Sequence, residues 1–519
     1  MSVATPGTVY LVGAGPGDSG LITRRALELV RAADVLLVDR LIPHDLIDEA
    51  REDAVRVDVG KTAGNHAMAQ GDINERLVSE ALAGHIVVRV KGGDPYLFGR
   101  GGEEAAHCRA AGVPFEVIPA VTSAFAACAD AGIPVTHRDI ARHVTVVTAS
   151  AGRDGQGDPN YGWLARSDGT VVLLMGLRRV AHVAERFIEE GRPASTPAAI
   201  ISRGTTAQQR TLVGTLGTIG ALLDADPLPS PAIIVIGAVV ELREQLSWFE
   251  ERPLFGTRVA VTRARAQASD LRARLEALGA QVVEAPAIRI EPLDPTEVDA
   301  VIASLDEVDT IAFTSANGAS IFLERLRTSG RDARALSGTR IAVVGTPTAR
   351  ILRASGLTPD VIPPHGHRSG LGLLNTLAEH PLFGTTAAVI RAEHGDDRLV
   401  DGLERLGVRT TLARAYRTII ERPSDATIAA LLECDVVTLA SESTVRNLVS
   451  MLPEGAQLPP AVTIGPTTTA AALWARVRVL EESADPSIAS VVESVVARAA
   501  ANAGRGTWTI AAEGAPPAP

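Results

Sequence analysis

Cysteine is nearly absent from this sequence of 519 residues. The three cysteines, Cys108, Cys128 and Cys434, lie far apart and lack the spacing of a metal-binding motif. This pattern excludes a fold held together by disulfide bonds and argues against a metal site. It favours a protein of the reducing cytosol, and we expect no bound metal.

Long hydrophobic segments are also lacking. The longest apolar run, Ala232 to Val240, is too short to cross a bilayer, and no basic stretch followed by an apolar core opens the chain. The net charge of −11 makes a nucleic-acid partner unfavourable. We therefore expect a cytoplasmic protein with neither a membrane nor a nucleic acid among its partners.

Aromatic residues make up only 3% of the chain, whereas hydrophobic residues make up 46%. Strand-like runs of Val, Ile and Leu alternate with helical segments, which predicts α/β domains with aliphatic cores. The length requires several domains. The predicted boundaries are 7–120 and 121–245 for two α/β domains, 246–256 for a short semi-ordered linker, and 501–519 for a disordered tail.

The most informative segment is VKGGDPYLFGRGGEE, residues 90–104. A buried parallel strand is predicted to end here, so Gly92 and Gly93 come at the edge of a sheet where α/β proteins bind ligands. Glycine lets a ligand approach the backbone, and Asp94 can accept hydrogen bonds from it. A tight turn would explain two glycines but not the whole segment.

A second glycine-rich turn, VGAGPGD at residues 12–18, follows the first strand. The dinucleotide fingerprint requires a third glycine where Asp18 stands, and Pro16 stiffens the loop. A nicotinamide-dependent oxidoreductase is therefore the weaker alternative.

Isolated polar residues also follow predicted strands. Asp39 and Lys61 end two of them and could act as a general base and acid, although ordinary charges at strand ends are the simpler interpretation. Met175 is either a core residue or a ligand contact at the end of an apolar strand. Gly204, within SRGTTAQQR, permits close backbone approach.

The first half resembles uroporphyrinogen-III C-methyltransferase, of the tetrapyrrole methylase family, over residues 7–245. The resemblance is carried in order by VGAGPGD, the 90–104 segment, PAVTSA, AGIPVTHRD, LLMG and SRGTTAQQR. It departs from the family at Ala120, where glycine is usual. The resemblance implies two α/β domains that bind S-adenosylmethionine between them, a product S-adenosyl-L-homocysteine, and a homodimer formed through this half.

Roles are implied for individual residues as well. Asp39 would be the proton acceptor and Lys61 the proton donor. Arg40, Arg100 and Arg138 could bind the carboxylates of uroporphyrinogen III, or form ordinary surface ion pairs. The implied contacts to S-adenosylmethionine are Pro16, Gly92, Gly93, Asp94, Leu97, Thr122, Ser123, Met175 and Gly204. Two methylations would convert the substrate to precorrin-2.

The second half resembles uroporphyrinogen-III synthase, a lyase, over about residues 255–500. The motifs are VTRA, FTSANG, VVGTPTAR, AYRT, ASES and IGPTTTAA. The resemblance implies one α/β domain of residues 257–286 and 420–500 and another of residues 291–412, joined by a two-stranded connection. The implied reaction closes hydroxymethylbilane to uroporphyrinogen III.

That reaction needs amides and hydroxyls rather than a strong nucleophile. The candidate substrate-binding residues are Thr262, Ser315, Asn317, Ser441, Ser443 and Thr467. Tyr416 is either a catalytic proton donor or a tyrosine packed at a strand edge.

Together the halves predict a bifunctional enzyme of porphyrin biosynthesis that supplies the sirohaem or cobalamin branch. A tether raises the local concentration of the shared intermediate. The alternative is a methyltransferase whose C-terminal half is a non-catalytic module that binds a tetrapyrrole or regulates the enzyme.

Overall fold

The computed structural model describes residues 4–60, 68–149, 158–263, 265–364, 367, 369–379 and 384–502. The chain divides into two compact units. The first contains mainly the residues up to Arg258 together with 273–282, and the second contains mainly 259–272 and 283–498. The predicted tail from residue 503 onward and Lys61 lie outside the described residues.

The first sheet of the first unit is entirely parallel, in the order β3-β2-β4-β1-β5. Its strands are β1 Val9–Gly13, β2 Val35–Val38, β3 Val55–Asp58, β4 Val87–Lys91 and β5 Phe115–Ile118. Its helices are α1 Arg24–Ala32, α2 His44–Asp48, α3 Gln70–Leu82 and α4 Gly101–Ala110. Since the strands are parallel, the loops after β1, β2 and β4 emerge at the same edge.

The second sheet is mixed, in the order β6-β7-β10-β8-β9. Here β6 and β7 are parallel, whereas β10 runs antiparallel to β7 and β8, and β8 antiparallel to β9. The strands are β6 Val144–Thr148, β7 Thr170–Leu174, β8 Pro197–Ser202, β9 Arg210–Thr215 and β10 Ala232–Ile236. The helices are α5 Ser123–Asp130, α6 Tyr161–Arg166, α7 Val180–Glu189, α8 Ile219–Ala225 and α9 Arg243–Leu246.

The remaining strands are β11 Arg258–Val261, β12 Gln281–Glu284, β13 Ile288–Pro292, β14 Thr310–Phe313, β15 Arg340–Val343, β16 Thr386–Ala392, β17 Arg409–Ile420, β18 Val436–Leu439, β19 Ala461–Thr463 and β20 Val479–Glu482. They form two sheets, in the orders β12-β11-β18-β19-β20 and β13-β17-β16-β14-β15. The chain therefore leaves one sheet, builds the other and returns. The antiparallel strands β13 and β17 carry the passage out and back.

Helices surround these sheets in the same alternating order. They are α10 Arg265–Ala277, α11 Thr296–Ala303, α12 Ala316–Thr328, α13 Thr346–Ala354, α14 Gly370–Ala378, α15 Arg398–Arg405, α16 Asp425–Leu432, α17 Glu442–Met451, α18 Pro466–Trp474 and α19 Ile488–Asn502. The predicted α/β class is confirmed by four five-stranded sheets. Among the described helices, none is long and apolar enough to cross a membrane.

Candidate functional site

The two glycine-rich loops of the first sheet meet backbone to backbone. The Gly15 N–H donates to the Gly93 carbonyl at 3.3 Å, and the Gly93 N–H donates to the Gly15 carbonyl at 2.7 Å. A Cβ on Gly13 would lie 2.7 Å from the Gly93 carbonyl oxygen, so this approach of the two loops requires glycine at position 13. The segments VGAGPGD and VKGGDPYLFGRGGEE therefore form one surface.

Asp94 ties that surface to a third loop. Its Oδ1 accepts a hydrogen bond from the Tyr96 N–H at 2.9 Å, and its Oδ2 accepts one from the Ala120 N–H at 3.0 Å. Ala120 leads to Thr122, which caps α5 by accepting the Ala124 N–H. The carboxylate of Asp94 thus holds the loop in shape, beside glycines that leave the backbone open.

The loop after β8 completes the arrangement. The Asp18 N–H donates to the Thr205 hydroxyl at 3.2 Å, which places Pro16 and Gly17 beside the SRGTTAQQR segment. A Cβ on Gly204 would lie 2.3 Å from the Cβ of Ala127, in the helix that Ser123 begins. The predicted contacts Pro16, Gly92, Gly93, Asp94, Leu97, Thr122, Ser123 and Gly204 are thus carried by loops in mutual contact.

Several of these loops hold side chains in the left-handed region of the backbone map. Met175 has φ of 57° and is 55% exposed, which makes it neither a core residue nor an ordinary strand end. Arg203 and Thr205 flank Gly204 at φ of 48° and 67°. Such conformations cost about 1–3 kcal/mol each and concentrate at functional sites, which favours the ligand-contact interpretation of Met175.

Asp39, at the end of β2, is held by a buried arginine. The Arg89 Nη2 donates to the Asp39 Oδ1 at 2.6 Å, and the two side chains are 3% and 35% exposed. The ion pair fixes one oxygen of the carboxylate, while about a third of the side chain stays open to solvent. This geometry suits a general base that is oriented from behind.

Sequence reasoning missed the charged cluster beneath Asp39. Glu104 is fully buried, and its Oε1 accepts from Arg89 Nε at 3.2 Å, Lys91 Nζ at 2.9 Å and Gln70 Nε2 at 3.1 Å. Burial, reinforced by repulsion from Arg89, lowers the pKa of the Lys91 ammonium although Glu104 opposes the shift. The available signal was two charges at alternate positions of the apolar strand VVRVK.

The predicted carboxylate-binding arginines have unequal surroundings. A Cβ on Gly60, the residue before Lys61, would lie 2.6 Å from the Cβ of Arg40, so the exit of β3 packs beside Arg40. Arg100 pairs with Glu103 at 2.6 Å, which raises the pKa of the Arg100 guanidinium. Arg138 is exposed. All three remain predictions as substrate ligands.

In the second unit, serines begin two helices at equivalent positions. Ser315 accepts the Gly318 N–H at 3.1 Å at the start of α12, and Ser441 accepts the Thr444 N–H at 3.2 Å at the start of α17. Ser441 also contacts the hydroxyl of Ser443 at 3.0 Å. These caps match the repeated sequences FTSANG and LASES.

The other candidates of this unit differ in exposure. The Tyr416 hydroxyl donates to the Ser315 hydroxyl at 2.9 Å, and Tyr416 is 6% exposed within a hydrophobic core, which favours packing over proton donation. Thr262 is fully buried and donates to the Thr438 carbonyl at 2.7 Å. Asn317 is half-buried in the first turn of α12, and Thr467 is exposed in that of α18.

Across the described part of the chain, no group of three or more His, Cys, Asp or Glu side chains could hold a metal ion.

Comparison with known proteins also divides the chain into two parts, as the two compact units do. The sequence model of the tetrapyrrole (corrin/porphyrin) methylases matches residues 8–220, and that of uroporphyrinogen-III synthase HemD matches residues 269–493. The porphyrin biosynthesis protein HemD of Ruminiclostridium josui is 37% identical over 452 residues, which is 86% of this chain and 89% of that protein.

Two further similarities cover the first half. The siroheme synthase of Chromobacterium violaceum is 50% identical over 243 residues, 47% of this chain, and the match spans about half of that protein, 52%. Uroporphyrin-III C-methyl transferase of Thermus thermophilus, solved in complex with S-adenyl homocysteine, is 36% identical, with a TM-score of 0.40 over 45% of this chain and 99% of that one.

Proposed function

Because this chain belongs to the family of proteins that join a tetrapyrrole methylase to a uroporphyrinogen-III synthase, we propose that it catalyses two consecutive steps of tetrapyrrole biosynthesis. The second unit closes hydroxymethylbilane to uroporphyrinogen III. The first unit methylates that product twice, with S-adenosylmethionine as the donor, to give precorrin-2.

One observation supports the methyltransferase assignment. The loops that carry Gly15, Gly93 and Ala120 meet, and the Asp94 carboxylate is held by hydrogen bonds within them. Gly92 and Gly93 leave open the space that a side chain would fill, and no atom lies within 4 Å of a Cβ built on Gly93. This arrangement of loops fits a ligand that packs against the glycine backbone, and Leu97, Met175 and Gly204 would complete the site. When bound, S-adenosylmethionine supplies an electrophilic methyl group.

The chain's own part in this reaction is positioning and proton removal. A pyrrole carbon attacks a methyl group without a protein nucleophile, so alignment dominates the rate. Methylation leaves a ring proton to be removed, and we assign its removal to Asp39, whose carboxylate accepts a hydrogen bond from Arg89. Lys61 is proposed as the proton donor by family resemblance.

For ring closure, the second unit offers helix starts and hydroxyls. Ser315, Ser441 and Thr467 stand at or next to the first residues of α12, α17 and α18, where backbone N–H groups can bind carboxylates. The burial of Tyr416 and Thr262 argues against a direct part for these two side chains in ring closure. Exposing the full chain to hydroxymethylbilane separates catalysis from the alternative of a binding module.

The test uses the full chain in two assays. Calorimetric titration should show saturable binding of S-adenosylhomocysteine and none of NAD, and saturable binding of NAD alone would contradict the methyltransferase proposal. Hydroxymethylbilane should yield the type III isomer. This product is diagnostic of catalysis, because spontaneous closure gives the isomer without ring inversion. Formation of that other isomer alone would leave the second unit as a binding module.

We also propose that the protein is a cytoplasmic homodimer formed through the first unit. Sedimentation of the purified chain tests the assembly state, and a monomer at micromolar concentration would contradict it.

A further inference from the structure

The segment between the two halves packs onto the first unit. Residues 243–255, named the connector here, bury Phe249 and Leu254, which are 5% and 0% exposed. The Trp248 indole donates to the Ala129 carbonyl at 3.1 Å, and a Cβ on Gly132 would lie 2.6 Å from the Leu246 carbonyl. The connector is therefore an ordered part of this unit and not a loose tether.

Glu250 brings a carboxylate from the connector to three donors. Its Oε1 accepts from Gln209 Nε2 at 3.0 Å and from the Thr211 hydroxyl at 2.6 Å, and its Oε2 accepts from Arg243 Nη2 at 2.7 Å. The side chains of Arg243 and Glu250 are only 16% and 18% exposed. Charge-assisted hydrogen bonds of this kind are strong and restrict their partners.

Gln209 transmits that restraint to the loop after β8. It is 1% exposed, and its Oε1 accepts the Thr205 N–H at 2.9 Å. An amide has a donor end and an acceptor end, whereas a carboxylate only accepts. Glu250 therefore determines which end of Gln209 faces Thr205.

Thr205 depends on this support because its backbone is strained. A β-branched residue at φ of 67° is unfavourable unless its neighbours hold it there. Its hydroxyl accepts the Asp18 N–H at 3.2 Å and would lie 3.2 Å from a Cβ on Gly17. A continuous series of hydrogen bonds thus joins the connector to the first glycine-rich loop, beside Pro16.

We propose that Glu250 is a positioning residue for the methyl donor, and that it acts through Gln209 and Thr205 on the loops that carry Pro16 and Gly204. The proposal rests on the proposed methyltransferase function. It assigns to the connector a part in a site that the connector itself does not line.

The test reverses the pair in the full chain. Q209E sets two carboxylates against each other, and the affinity for S-adenosylhomocysteine measured by calorimetry should fall about ten-fold or more. The double variant Q209E/E250Q restores one donor between them and should recover affinity to within about three-fold. The control E116Q removes an exposed carboxylate paired with Arg25, away from this series, and should change nothing.

Kinetics separate positioning from general loss of structure. In Q209E, the KM for S-adenosylmethionine should rise while the KM for the tetrapyrrole and kcat stay within about two-fold. If Q209E fails to fold, E250A removes the carboxylate without adding charge and should show the same KM change.

Two results would overturn the proposal. One is a wild-type protein that binds S-adenosylhomocysteine together with folded variants that bind it equally well. The other is a double variant that melts like the wild type without recovering affinity. A wild-type protein that does not bind S-adenosylhomocysteine overturns the proposed function as well, so the two failures are distinguishable.

Discussion

The two units handle the polar residues at their strand ends in different ways. Among the described residues, five of the six non-glycine residues with positive φ belong to the first unit, and they are Phe98, Arg100, Met175, Arg203 and Thr205. The first unit also buries Arg89, Lys91 and Glu104 together. The second unit buries a single arginine, Arg391, among its described residues, caps two helices with Ser315 and Ser441, and buries its tyrosine in a core.

Strain and buried charge reduce stability, so proteins keep them where they position other groups. The first unit therefore has the features of a site that aligns two reactants. The candidates of the second unit have ordinary structural partners, which suits a reaction that needs a shaped anion-binding surface. Changes in the first unit should accordingly affect catalysis most, and the following variants test that difference.

The largest effect is expected for Asp39→Asn. Loss of the base should reduce methylation about 1,000-fold, because general bases contribute about 100- to 10,000-fold. Affinity for S-adenosylhomocysteine and the formation of uroporphyrinogen III should remain unchanged, since neither uses Asp39. Full methylation activity in this variant would show that its base role is wrong.

Asp94→Ala should weaken binding of S-adenosylhomocysteine about 100-fold or more. It removes two hydrogen bonds to a carboxylate, which are worth about 1.5–3 kcal/mol each. Asp94→Asn is the matched control, because it keeps one acceptor and should give an intermediate loss. Equal binding by all three proteins would mean that the loop does not depend on Asp94.

Two glycine substitutions compare strained positions of the two units. Met175→Gly should lower methylation about ten-fold through the lost contact, while the melting temperature stays constant or rises as strain is relieved. Arg476→Gly, at φ of 58° in the turn after α18, relieves strain in the second unit. It should leave both activities unchanged, and a loss of ring closure would break the proposed difference between units.

Tyr416→Phe examines the second unit directly. The variant loses the hydrogen bond to Ser315, so the free energy of unfolding should fall by about 1 kcal/mol. Ring closure should fall less than about three-fold. A loss of about 100-fold would instead identify Tyr416 as a proton donor.

The smallest effect concerns pH. Burial raises the pKa of Asp130 to about 6, against the opposing charge of Arg252, from an ordinary value of 3.8. The unfolded chain ionises first as pH rises, so ionisation of Asp130 destabilises the fold above about pH 4 and fully above pH 6. Asp130→Asn should add about 1 kcal/mol at neutral pH and nothing near pH 3 in urea titrations.

Much of the first site could be predicted from the sequence, because its glycines mark where backbones approach each other. Gly13 and Gly204 each stand where a Cβ would meet a neighbouring atom, and Gly93 has a positive φ of 66° that favours glycine. The strand ends of Asp39 and Met175 followed from the alternation of strands and helices. The positions of these loops could therefore be predicted without knowledge of side-chain contacts.

The supporting charges could not be predicted in the same way. The contact of Arg89 with Asp39 depends on β4 lying beside β2, and that order is a property of the sheet. The contact of Glu250 with Gln209 depends on how the connector folds back. In the second unit, the sequence predicts Ser315 and Ser441 as substrate ligands, and the structure shows that both cap helices. A serine that caps a helix and a serine that binds a substrate occur in the same local sequence, so the sequence does not distinguish the two roles.

The most direct measurement of the central claim is a coupled assay on the full chain with hydroxymethylbilane and S-adenosylmethionine as the sole substrates. The account predicts precorrin-2 from the wild type, and uroporphyrinogen III without methylated product from Asp39→Asn. It is contradicted if the wild type forms no methylated product when uroporphyrinogen III itself is supplied, or forms none of the type III isomer from hydroxymethylbilane.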